Sequence, residues 1–179
     1  MSGIFIEALK YAADKHISQR RKGCDMVPYI NHPIKVTYIL QNTASENDPE
    51  LLSAAILHDV IEDTCATEAE LIEKFGKKVA DIVLEVTDDM SLTYDDRKRL
   101  QIRKAPTLSD DAKMIKIADK MANIEDILTL PLTWSTHRKK QYCEWAERVV
   151  EGCRGINPRL DIAFNELIAK AYKIIDNQH

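Results

Sequence analysis

Four titratable side chains interrupt one apolar stretch, Ala54-Ala55-Ile56-Leu57-His58-Asp59-Val60-Ile61-Glu62-Asp63-Thr64. His58 and Glu62 stand four residues apart, as do Asp59 and Asp63, so a helix would stack each pair on nearly one line of its surface. That face presents an imidazole beside three carboxylates. Such a cluster among apolar residues is costly unless something positive compensates it. A divalent metal is a suitable compensation, because His and Asp are good ligands. The plain alternative is an exposed Glu-Asp helix end, and a motif this short needs its context to decide.

Two further segments could supply ligands. His32, in Tyr29-Ile30-Asn31-His32-Pro33, sits at a predicted helix mouth with Pro33 at the first helical position. Asp119 lies amid Met114, Ile115, Ile117, Ala118, Met121, Ile124, Ile127 and Leu128 at helical spacing. A carboxylate in that company needs a partner, and Lys116, Lys120 or a metal could serve. His32, His58, Asp59 and Asp119 together would form a mixed nitrogen and oxygen site. Such a site suits Mn, Fe, Co or Zn and leaves positions open for water and substrate.

Other residues carry two readings each. Arg20-Arg21-Lys22 is a solvated face or a phosphate contact. His16 is a surface or capping histidine, or a ligand. Asp88 and Asp89 fit a loop or cap, or a metal. Cys65 is a small hydrophobe, or has a redox or ligand role. Tyr142 is core or a platform for a base.

The elements that must position these groups read as helices throughout. Apolar spacing predicts helices from Ile4 to about Ser18, from Pro33 to about Thr43, and from Asp48-Pro49 through the central stretch to Thr64. Thr67 and Glu70 form a capping box for a short helix stopped by Gly76. Another helix, with Val79, Ile82, Val83 and Val86, ends at Thr87. Thr93 to about Ala105 is strongly basic, with Arg97, Lys98, Arg99, Arg103 and Lys104, and is broken by Pro106. Ser109 or Asp110 opens the Asp119 helix, Ser135 caps one running to about Gly155 with Tyr142 and Trp145 inward, and Asn157-Pro158 opens the last, to about Ile175. No convincing strand is found. The expectation is a single all-α domain over residues 1–179, a bundle of roughly eight to ten helices.

Composition agrees. Only 5 Gly and 6 Pro in 179 residues favour long helices with few turns, and 45% hydrophobic with 30% charged residues fits a soluble folded chain. A net charge of -4 gives no global pull toward nucleic acid or an anionic membrane, so an anionic ligand must meet a local basic patch. No run is long enough to span a bilayer, no signal peptide opens the chain, and the 4 Cys lack metal or redox spacing. A cytoplasmic protein with reduced thiols is expected.

The pattern H…HD…D on an all-helical chain resembles the HD phosphohydrolase superfamily. More narrowly, four segments resemble the hydrolase domain of RelA/SpoT-type (p)ppGpp enzymes. They are Pro28-Tyr29-Ile30-Asn31-His32-Pro33, Leu57 to Thr64, Phe75-Gly76-x-x-Val79 with Glu85-Val86-Thr87, and Lys116-Ile117-Ala118-Asp119-Lys120-x-x-Asn123. Glu144-Trp145-Ala146 with Val149-Val150 looks most like the stand-alone animal branch, the metazoan SpoT homologue. No synthetase region follows, so the resemblance implies hydrolysis without synthesis.

By position, the resemblance implies one Mn2+ per chain on His32, His58, Asp59 and Asp119, and a catalytic pair in Glu62 and Asp63. It places Arg21, Lys22 and Asn123 near the nucleotide. Tyr29, Arg97, Lys98 and Tyr142 are the further substrate-binding candidates. The loop from Lys22 to Pro28 is longer than in many bacterial relatives, and Asp126 stands where they often have Thr. The implied reaction is cleavage of the 3′-pyrophosphate of ppGpp to GDP and pyrophosphate, with no nucleic-acid or membrane partner. The other enzymatic reading is a phosphatase for another ribose phosphate, such as the 2′-phosphate of NADPH. A third reading, of a different class, is a nucleotide-sensing domain without turnover. Oligomeric state is not legible.

Overall fold

The computed structural model describes residues 3–21 and 24–177. Among these, helices dominate: α1 (Gly3–Lys15), α2 (Asn31–Asn42), α3 (Pro49–Leu57), α4 (Val60–Asp63), α5 (Glu68–Phe75), α6 (Lys77–Val86), α7 (Tyr94–Lys104), α8 (Asp110–Thr129), α9 (Thr136–Glu151) and α10 (Pro158–Asp176), with a 3-10 turn at Ala105–Thr107. This is the all-α architecture expected above, save for one short hairpin.

Two helices form the centre. Leu51 through Leu57 of α3 are all buried, as expected of a helix that is apolar all round. α8, 20 residues long, buries most of the run from Ala112 to Ile127. α2 and α6 each pack against both, α1 covers α3, and α9 and α10 cover α8. The N-terminus of α2, the C-terminus of α3 and the middle of α8 therefore meet inside the bundle. Local chemistry sets the starts. Asp48 accepts from the Glu50 N–H with Pro49 in the first turn, Thr67 and Glu70 make the reciprocal capping box, and Asn157 accepts from Arg159 and Leu160 ahead of Pro158.

The structure corrects several boundaries. The helix expected from Pro49 to Thr64 is broken after Leu57 by a turn at His58-Asp59, with Asp59 at φ -103°, ψ -1°, at the edge of the helical region. In an unbroken helix, neighbouring side chains diverge by about 100°. At the break the Asp59 carboxylate lies 3.0 Å from His58 Nε2. A two-stranded antiparallel hairpin, β1 (Arg20–Arg21) and β2 (Cys24–Pro28), stands where no strand was expected. It is too short to show alternation, and its base is closed by the Tyr29 N–H donating to Gln19 O at 3.0 Å. α2 starts two residues before Pro33, α1 ends at Lys15, and α9 ends at Glu151.

Gly152 ends α9 for a packing reason. A Cβ there would lie 2.7 Å from Ala105 Cβ and 2.9 Å from Pro106 Cδ, on the turn that closes α7. Gly152→Ala is expected to cost about 1–3 kcal/mol through overpacking, read as a lowered midpoint of thermal unfolding.

Candidate active site and metal centre

The break after α3 brings consecutive residues to one point. His58 Nδ1 lies 2.8 Å from Ala55 O. A carbonyl only accepts, so Nδ1 carries the hydrogen and Nε2 of the neutral ring is bare. That Nε2 is buried and faces Asp59 Oδ2 at 3.0 Å as a charge contact, without the alignment of a regular hydrogen bond. His32, in the first turn of α2, points its Nε2 to within 3.7 Å of the same oxygen and 3.1 Å of Asp119 Oδ1. His32, His58 and Asp59 each offer a ligand atom, all within 4.8 Å of one another.

Asp119 joins this group through His32. Its Oδ2 takes Lys120 Nζ at 2.7 Å and its Oδ1 takes Asn123 Nδ2 at 2.6 Å. Of the three partners expected for it, Lys120 is thus present, while Lys116 donates instead to Val86 O.

The electrostatics suit a cation. Burial opposes charge on His58, yet the Asp59 carboxylate beside it pushes its pKa up to about 9. Burial likewise works to raise Asp59, but the two imidazoles hold it below the usual carboxylate range. In this arrangement a proton is held where a divalent ion would bind, so metal binding would release it. An orphaned, buried imidazole nitrogen facing a carboxylate, with a second imidazole alongside, fits a first-row divalent metal.

The acidic pair follows in the single turn of α4. Glu62 Oε2 accepts from the Asp88 N–H at 3.0 Å. Burial, followed by the Asp59 charge, raises its pKa to about 7. Asp63 Oδ2 accepts from Gln19 Nε2 at 2.8 Å. Asp88 itself is no ligand of the cluster: its side chain takes Gln101 Nε2 at 2.7 Å. Asp89 bonds Ser91 in its turn.

A cavity of about 260 Å³ opens over these groups. Metal cluster and acidic pair line one part of it. Trp134, Tyr142 and Trp145 line another, together with Lys98, Lys120 and Arg138. Lys98 Nζ stands 4.6 Å from the Trp145 ring centre and Lys120 Nζ 4.5 Å, while the Arg138 guanidinium lies 4.1 Å from that of Trp134. The Trp145 indole donates to Lys98 O at 3.1 Å, fixing α7 against α9.

The substrate-binding candidates divide. Arg97, Lys98, Asn123 and Tyr142 line the cavity, with the Arg97 guanidinium donating to Leu92 O. Arg21 also lines it, but its guanidinium is engaged by Asp126 at 2.9 Å and Asn123 at 2.7 Å, and Lys35 binds Asp126 from the other side. Tyr29 spends its hydroxyl on Asp59 Oδ2. Lys22 lies outside the described residues. His16 is buried and bonded to Gln19, neither cap nor member of the cluster, and Cys65 is exposed away from the cavity.

Sequence reasoning passed over Trp134, Arg138 and Gln101, and read Trp145 as core. The i,i+3 spacing of Tyr142 and Trp145 on one helix is the available signal; Trp134 precedes the Ser135 cap, where no helical spacing applies.

Comparison with known proteins agrees with this geometry. Residues 8–144 match the family described as HD domain. The chain is 46% identical over 167 residues to guanosine-3′,5′-bis(diphosphate) 3′-pyrophosphohydrolase MESH1 of Drosophila melanogaster, covering 93% of each chain. It is 47% identical over 163 residues to the Homo sapiens protein of the same name, covering 90% of this chain and 91% of that one. Among solved structures, a metazoan orthologue of SpoT, described as hydrolysing ppGpp with a role in starvation responses, superposes with a TM-score of 0.90. It is 44% identical, and the match covers 95% of this chain and 96% of that one.

Proposed function

The chain belongs to the HD-domain family, in its RelA/SpoT-type branch of guanosine-3′,5′-bis(diphosphate) 3′-pyrophosphohydrolases, and we propose that it removes the 3′-pyrophosphate of ppGpp to give GDP and pyrophosphate. The observation that carries this reading is one cavity holding both a His-His-Asp cluster with adjacent carboxylates and a wall of aromatic rings and cations. The first part suits water attack on phosphorus. The second suits a purine nucleoside with several phosphates.

HD domains are metal-dependent, and the finer proposal is one Mn2+ held by His32, His58, Asp59 and Asp119. The bound ion supplies a Lewis acid and lowers the pKa of water. The chain's own residues do the rest. Glu62, raised toward neutrality, accepts the proton of the attacking water, and Asp63 orients that water. The new P–O bond forms as the bond to the ribose 3′-oxygen breaks, and that oxygen leaves as the hydroxyl of GDP, taking up through solvent the proton that Glu62 received and so restoring the base. Lys98, Lys120 and Arg138 balance phosphate charge, and Asn123 and Tyr142 bound the nucleotide. Arg21 serves as a strut between Asn123 and Asp126. The reading treats residues 1–179 as one domain acting in the cytoplasm. Among the described residues no helix is long and apolar enough to cross a membrane.

The test is turnover of ppGpp with Mn2+, with and without chelator, following pyrophosphate and orthophosphate separately. Pyrophosphate release that stops with chelator is expected. Orthophosphate alone, from ppGpp or from NADPH, would replace the reading with a phosphatase. Tight nucleotide binding without release of either would replace it with a sensor.

A further inference from the structure

Asp63 ends a one-turn helix and is exposed, so packing does not orient its carboxylate. A chain of hydrogen bonds does. The Gln19 backbone is fixed on both sides, its N–H donating to His16 O and its carbonyl accepting from the Tyr29 N–H, each at 3.0 Å. Its side-chain nitrogen donates to Asp63 Oδ2 at 2.8 Å, and its side-chain oxygen lies 2.6 Å from His16 Nδ1.

The polarity of this chain has one solution. A carboxylate only accepts, so the amide nitrogen of Gln19 faces Asp63. The amide oxygen then faces His16, and Nδ1 of His16 must carry a hydrogen. His16 is 2% exposed and its Nε2 is buried without a partner. Its ring rests 4.9 Å from that of Tyr29, whose hydroxyl donates to Asp59. A buried ring on the metal side thus fixes a half-buried amide, which fixes an exposed carboxylate.

We propose that His16 and Gln19 are positioning residues that hold Asp63 at the angle at which it addresses the attacking water. This rests on the reading of Asp63 as a water-handling carboxylate. Neither residue touches substrate in this assignment. Support of this kind from behind a reacting group keeps it in its productive orientation.

The test uses the full chain loaded with Mn2+ and ppGpp as substrate. Gln19→Leu should lower kcat about tenfold, the order of one hydrogen bond to a charged group. KM, metal content and the thermal midpoint should stay near those of the parent. His16→Asn offers an amide hydrogen in place of Nδ1–H and should retain most of the rate, whereas His16→Leu should fall with Gln19→Leu. In an Asp63→Asn background, Gln19→Leu should cost nothing further, since the two act as a unit. Unchanged kcat in Gln19→Leu beside an impaired Asp63→Asn would overturn the positioning role alone. An unimpaired Asp63→Asn would remove the reading beneath it. Long-range nitrogen–proton NMR of the parent protein gives a readout that survives any folding failure of the His16 variants. The hydrogen is expected on Nδ1 of His16, and an Nδ1 found bare overturns the chain.

Discussion

Replacing Asp59 with alanine is expected to leave a folded protein that retains no divalent metal and does not turn over ppGpp. Three groups converge on one Asp59 oxygen: His58 Nε2 at 3.0 Å, His32 Nε2 at 3.7 Å and the Tyr29 hydroxyl. Without it, the two imidazoles lose the carboxylate they share and keep only Asp119, 3.1 Å from His32 Nε2, so a bound cation would lack one of its two anionic ligands. Loss of a Lewis acid contributing several kcal/mol corresponds to at least ~10³-fold in rate. Unpairing Tyr29 adds a stability cost of about 1–3 kcal/mol. Elemental analysis after dialysis measures the first effect. Thermal unfolding without metal measures the second, and with added Mn2+ it reports binding again, because a ligand bound only by the native state raises stability by about 2.7 kcal/mol at a hundredfold its Kd. That increment should be present in the parent and absent in Asp59→Ala. A variant that keeps both metal and turnover would take Asp59 out of the centre.

Glu62→Gln is expected to separate the two properties that Asp59→Ala removes together. Gln has the same shape, and its amide oxygen can still accept from the Asp88 N–H, which now holds Glu62 Oε2 at 3.0 Å. The backbone of the α6–α7 connection therefore keeps its anchor. What disappears is the capacity to take a proton. Positioned general bases contribute about 10²–10⁴-fold, so kcat should fall by that factor with metal content and KM little changed. Burial and the neighbouring Asp59 charge already hold Glu62 at about 7, which suits proton transfer near neutrality. Parent-like kcat in Glu62→Gln would assign the proton to another acceptor.

Much of this arrangement is legible in the sequence, and where it is not the reason is physical. Caps are local, so Asp48-Pro49, Thr67 with Glu70, and Asn157-Pro158 announce helix starts that the structure bears out. The residue types of the His58-Asp59 stretch point to a metal, but the backbone break that aims them does not show. Every residue around it is compatible with helix, so no local signal marks the break. The Arg21–Asp126 pair joins positions 105 apart, beyond the reach of any spacing rule. Trp145 illustrates a different limit. Helical periodicity says that it faces inward, without saying whether inward means packed core or the wall of a cavity.

That wall has an optical consequence. The chain contains 2 Trp, and both border the same hollow, each with a cationic group close to its ring. The indole emission of the folded protein therefore originates at the place where a nucleotide would rest. The molecule carries a built-in, label-free gauge of occupancy, and no distant tryptophan contributes background to it.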